Sequence, residues 1–150
     1  MPTVAAVISG SPSLAAATMQ AVRSSAIPYL VLGADAESLN SICAVRTEDS
    51  LLFLAAGVLP DEANTVAHWV EVMTVTRAGA VVDYDESMGR ITALLTPRDL
   101  FDTLGGFDSI RHGGTGYMED YLVRLIGLGH DCVTTEQRWR SLPQHHRQAA

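Results

Sequence analysis

The sequence has no lysine: its ten basic residues are all arginine. Chemistry that needs a Schiff-base amine or a P-loop lysine is therefore excluded. Cysteine is scarce. Cys43 and Cys132 stand far apart, fit neither a zinc spacing nor a redox pair, and read as reduced, buried thiols. Charge is sparse too, at 18% of residues, and its balance is acidic, with a net charge of −7. Such a chain repels a nucleic-acid backbone, so no nucleic-acid partner is expected. No apolar run reaches the roughly 18 residues a membrane span needs, and no basic segment precedes the N-terminal apolar run. The expected chain is soluble and cytoplasmic, with no transmembrane segment.

What is present is a globular composition. The 150 residues, 47% of them apolar, suffice for one domain with a real core and are too few for two. A single domain over 1–150 is expected, with a structured core over about 4–135 and a flexible tail over 144–150. Short β-rich runs alternate with helical ones, which predicts an α/β fold whose mostly parallel central sheet is flanked by helices.

Val4 to Ser9 reads as a buried first strand and Leu14 to Ser24 as a helix, with Gly10-Ser11-Pro12-Ser13 as the turn between them. Strands are expected at Ile27–Leu32, Leu51–Leu54, Ala80–Val82, Ile91–Leu95 and Asp131–Thr135. Helices are expected over about Glu62–Met73, Arg98–Leu104 and Glu119–Leu128, and Gly33 to Asn40 reads as a loop with one helical turn. Ligands in open parallel sheets sit beyond the carboxyl ends of the strands, and helix N-termini favour phosphate there. Ser9, Gly10 and Asp35 occupy such ends.

The densest cluster of signals runs from Thr96 to Gly129. A Gly-Gly-Phe-Asp turn, Gly105 to Asp108, is followed eleven residues later by the adjacent acids Glu119 and Asp120 at the mouth of an apolar-periodic helix. Adjacent carboxylates repel, and such pairs suit proton transfer. The alternative is two ordinary first-turn acids favoured by the helix dipole. With Arg98, Phe101, Arg124, Leu125 and Gly129, this stretch resembles the acceptor-side half of the inverting family 2 glycosyltransferases of the GT-A fold.

That resemblance implies a minimal GT-A-like domain that transfers a sugar from a nucleotide-diphosphate sugar, UDP-linked by expectation, to a hydroxyl of a glycan or protein acceptor. It implies Asp120 as general base with Glu119 its neighbour, an acceptor site at Gly106, Phe107, Asp108 and Trp139, and a nucleotide site at Ser9, Gly10, Asp35, Ala55 and Gly57. Asp35 either matches the family's uracil- or ribose-binding acid or caps the turn after its strand. The family's Mn²⁺ or Mg²⁺ is held by an Asp-x-Asp after the third strand, where this chain has Ala55-Ala56-Gly57. Methyl groups cannot ligate a hard cation. Asp83 and Asp85 form a spare Asp-x-Asp, or else an exposed turn, and Arg111 offers a cation for the diphosphate. His145-His146 stands where such enzymes sometimes place a metal-binding His, or in a solvated tail. Gln137-Arg138-Trp139 echoes a motif of processive members or is coincidence.

Two other readings stand beside this one. The first is a catalytically silent GT-A-like module that binds or oligomerises; a homo-oligomer is one way to cover so apolar a surface. The second is a flavodoxin-like flavin-binding protein, suggested by the Gly-Ser-Pro turn after the first strand.

Overall fold

The computed structural model describes residues 2–33, 35–87 and 89–142. The expected tail over 144–150, with His145 and His146, lies outside the described residues. Six strands form one sheet: β1 (Val4–Ser9), β2 (Ile27–Val31), β3 (Ser50–Ala55), β5 (Ala80–Asp85), β6 (Arg90–Pro97) and β7 (Cys132–Val133), in the order β2-β1-β3-β6-β5-β7. β1 pairs in parallel with β2 and β3, and β5 with β7; only β6 runs against its neighbours. The sheet is thus mostly parallel, as expected. A flavodoxin-like sheet keeps the order 2-1-3-4-5. Here that order stops at β3, where antiparallel β6 intervenes.

Alternation along the buried strands builds two cores. Ala5, Val7, Leu51 and Phe53 face the layer of α2 (Ala36–Cys43), α4 (Arg98–Thr103) and α5 (Tyr117–Gly127). Val4, Ala6, Ile8, Leu52 and Leu54 face α1 (Pro12–Val22) and α3 (Thr65–Thr76). β6 breaks this rule once. Asp83 opposes Ala93 and Tyr84 opposes Ile91, so Thr92 is an extra residue, a β-bulge. Ile91 and Leu94 consequently share one core although they are an odd number of residues apart.

Several boundaries differ from the sequence expectation. The segment read as a loop with one turn continues into α2, because Asp35 caps it: its Oδ1 accepts from Ser38 N–H at 2.8 Å. Ahead of the expected Glu62–Met73 helix, Pro60 lies in a strand. It ends β4 (Val58–Pro60), which pairs antiparallel with β8 (Trp139–Ser141) in a two-stranded sheet, an edge position that proline tolerates. α3 starts later, at Thr65, whose hydroxyl accepts from Glu62 N–H at 3.1 Å. Among the described residues no helix is long and apolar enough to cross a membrane.

Candidate functional site

At the carboxyl ends of β1 and β3 the chain leaves the sheet through two closely packed turns. Gly10 N–H donates to Val31 O at 3.2 Å, and Ala56 N–H to Ser9 O at 2.9 Å. A Cβ on Gly10 would stand 2.9 Å from that of Ala56, and the Gly10 φ of 133° is one that other residues rarely adopt. Glycine is required here by space and by backbone. Because β6 runs the other way, its first residues, Arg90 and Ile91, arrive at this same edge. Facing them are Gly114, Thr115 and Gly116 and the first turn of α5. The walls enclose a cleft of about 320 Å³.

Of the residues expected to act, Ser9, Gly10, Ala55 and Glu119 meet in this cleft. Glu119 lines the cleft as a residue, while its Oε2 is buried and has no hydrogen-bond partner among the described residues. Asp120 is not part of the lining. Its Oδ2 accepts from Arg124 Nε at 2.9 Å, and its Oδ1 lies 3.6 Å from His112 Nε2. Arg124 spends its other two nitrogens on backbone: Nη1 donates to Leu104 O and Nη2 to Gly106 O, each at 2.8 Å. The Asp120–Arg124 pair thus ties α5 to the glycine turn.

That turn is structural throughout. Gly105 and Gly106 adopt φ of 78° and 73°, as a helix C-terminus followed by a reversal demands. Phe107 is buried in the core among Phe53, Phe101, Tyr117 and Tyr121, not displayed to an acceptor. The Asp108 Oδ1 accepts from the N–H groups of Ile110 and Arg111, both at 3.1 Å, and the Arg111 bond above all holds its carboxyl below the ordinary carboxylate value. Neither Gly106 nor Asp108 lines the cleft.

The remaining expected residues sit apart. Asp35 caps α2, and the Ser38 hydroxyl and N–H hold its carboxyl below the ordinary value; the next residue, Ala36, donates its N–H to Gly113 O at 2.8 Å, so this cap borders the glycine-rich loop. Gly57 turns away and donates its N–H to the buried Thr18 hydroxyl at 2.9 Å. Trp139 is not a stacking platform: it is 7% exposed and meets Trp69 edge-on at 5.8 Å. Gln137-Arg138-Trp139 has a packing explanation, since Gln137 O accepts from Trp69 Nε1 at 2.8 Å and Arg138 pairs with Asp83.

Asp83 is neither an exposed turn residue nor a free metal ligand. It is 2% exposed, its Oδ1 accepts from Arg138 Nε at 2.6 Å, and its Oδ2 accepts from Trp139 N–H at 2.7 Å. Asp85 lines the same hollow as Asp83, separate from the cleft. The donor set at the β3 end is two alanines and a glycine, and among the described residues no group of three His, Cys, Asp or Glu side chains is placed to hold an ion. These residues do not fit the divalent metal of the GT-A enzymes.

The cation in the cleft is Arg90, not Arg111. Motif reading missed it, because nothing in Gly89-Arg90-Ile91 signals a site. Only the direction of β6 brings it there. Burial holds the Tyr117 phenol above its ordinary value, Glu119 pushes the same way, and Arg90 works against both.

The sequence matches no protein-family model and no curated protein. Solved structures share the fold. A mannosyltransferase from Pyrobaculum calidifontis, in complex with GDP-Man and Mn²⁺, aligns with a TM-score of 0.77 at 14% identity over 99% of this chain. The catalytic domain of Drosophila β1,4-galactosyltransferase 7, in complex with xylobiose, gives 0.70 at 10% identity over 98% of this chain and 73% of its own. Glucosyl-3-phosphoglycerate synthase from Mycobacterium tuberculosis, in complex with Mn²⁺, UDP and glucosyl-3-phosphoglycerate, gives 0.58 at 14% identity, over 99% of this chain and 75% of its own. The present chain spans 59% of the mannosyltransferase chain.

Proposed function

We propose that the cleft binds a nucleotide-diphosphate sugar and that the protein is a glycosyltransferase acting with inversion on an acceptor hydroxyl. The observation that carries this reading is the meeting, in one cleft, of the β1 and β3 ends with Glu119 at the mouth of α5. The shared fold of the solved glycosyltransferases supports it. A UDP-sugar is the expected donor, with a GDP-sugar as the second candidate, and a glycan or protein hydroxyl the acceptor.

In this reading the base is Glu119, not Asp120, because Glu119 lines the cleft while Asp120 is engaged by Arg124. The acceptor O–H passes its proton to the Glu119 carboxylate as its oxygen bonds to the anomeric carbon. The bond from that carbon to the diphosphate oxygen breaks on the opposite face, and its electron pair leaves with the nucleoside diphosphate. Asp120 is a positioning residue that fixes α5 against the glycine turn.

Incubation with UDP- and GDP-sugars and saccharide acceptors should release nucleoside diphosphate, and Glu119→Gln should abolish release while nucleotide binding persists. Near wild-type turnover by Glu119→Gln removes the assignment. A second reading, a silent binding module, is favoured by Ala55-Ala56-Gly57 at the strand end. Nucleotide binding with neither hydrolysis nor transfer by the wild-type protein selects it.

A further inference from the structure

We infer that the cleft holds a nucleoside diphosphate without a divalent cation, with the Arg90 guanidinium as the counter-charge to the diphosphate. This inference rests on the nucleotide reading of the cleft given above. Three observations carry it. The strand end that would ligate a metal offers only methyl groups and a glycine, Ala55-Ala56-Gly57. The nearby acid pair cannot substitute, since both Asp83 oxygens are taken by Arg138 and Trp139 and the pair lines a different hollow. Arg90 shares the cleft with Ser9, Gly10, Ala55 and Ala56, and its guanidinium makes no hydrogen bond or ion pair with another described side chain.

The chemistry of the pair is favourable. A guanidinium presents several N–H donors in one plane and matches phosphate oxygens two at a time, a geometry an ammonium lacks. One diphosphate carries at least two negative charges, in a cleft that already holds Glu119. Salt screens the Arg90–phosphate attraction, so the affinity gap between wild type and Arg90→Gln should narrow as salt rises. Arg90 also arrives on a strand and not on a loop, which fixes its backbone relative to the β1 and β3 ends.

The test is calorimetric titration of the whole chain with UDP and with GDP, in EDTA and then in MnCl₂, for the wild type, Arg90→Gln and Arg90→Lys. Arg90 is exposed, so both variants should keep the wild-type melting temperature. The expected result is equal affinity in EDTA and Mn²⁺, a loss of roughly 10- to 100-fold in Arg90→Gln, and a smaller loss in Arg90→Lys. Binding that requires Mn²⁺, or Arg90→Gln affinity equal to wild type, overturns the inference and leaves the nucleotide reading standing. Absence of binding by either nucleotide in both conditions removes that reading and this inference with it.

Discussion

Asn40 holds the backbone of Phe107 from both sides, its Nδ2 donating to Phe107 O at 2.8 Å and its Oδ1 accepting from Phe107 N–H at 2.9 Å. One side chain on α2 thus imitates a strand partner for a residue 67 positions away. It fixes the glycine turn from one side while Arg124 fixes it from the other. Asn40→Ala should cost about 2 kcal/mol, two hydrogen bonds' worth, because Phe107 N–H and C=O are then left without their partner. Urea unfolding measures this directly. A cost under about 0.5 kcal/mol would show the clamp to be incidental.

The two glycines of that turn should respond differently. A Cβ at Gly105 meets nothing within 4 Å, whereas one at Gly106 falls 2.7 Å from Asn40 Oδ1. Gly105→Ala should therefore cost only the left-handed backbone penalty, about 1–2 kcal/mol. Gly106→Ala should cost clearly more, since it adds a collision that opens the Asn40 clamp. Equal melting temperatures for the two variants would contradict this.

Arg124 and Asp120 separate in the same way. Both side chains are partly exposed, at 31% and 20%, so their ion pair alone is worth about 1 kcal/mol. Asp120→Asn should lose that much and still bind nucleotide. Arg124→Met loses the pair and two carbonyl bonds together and should lose roughly 3 kcal/mol. Amide exchange of the Leu104–Asp108 segment should speed up in the second variant and stay near wild type in the first.

Asp83→Asn should lower stability by roughly 3 kcal/mol, because it unpairs a buried carboxylate site that anchors both Arg138 and the β8 backbone. Thermal unfolding of the wild type should not respond to Mn²⁺. A rise in melting temperature with Mn²⁺ that Asp83→Asn abolishes would reinstate Asp83 as a ligand.

Burial pushes the Tyr121 phenol up to about 12, against an ordinary 10.0. The unfolded chain gives up this proton near 10.0, so between these values the unfolded state binds fewer protons. Stability therefore falls as pH rises through that window, and the full contribution is present below it. Thr96 Oγ1 donates to Gly79 O at 2.9 Å, which leaves Tyr121 as donor to Thr96 at 2.8 Å. Tyr121→Phe should cost about 1 kcal/mol at neutral pH and flatten the alkaline decline. Urea unfolding across the alkaline range reads both effects.

The core strands were legible because β1 and β3 are continuous apolar runs, and the turn glycines because no other residue suits their backbone. β4 and β8 were not: three residues each carry no periodicity, and each exists only because the other pairs with it. The resemblance implies Phe107 and Trp139 for an acceptor, but an aromatic's identity does not say which way it points, and the core claims both. Ser9, Gly10, Ala55 and Glu119 came together as strand ends and a helix mouth should. Arg90 could not be found in this way, since its place depends on a strand direction set by partners far along the chain.

The bulge at Thr92 governs more than packing. Facing alternates along a strand, so the extra residue sets the phase of everything between it and the hairpin tip. Excising Thr92 would reverse the facing of Arg90 and Ile91, the two β6 residues that line the cleft. The placement of the cleft's guanidinium thus depends on the parity of one short stretch of backbone, outside the wall itself.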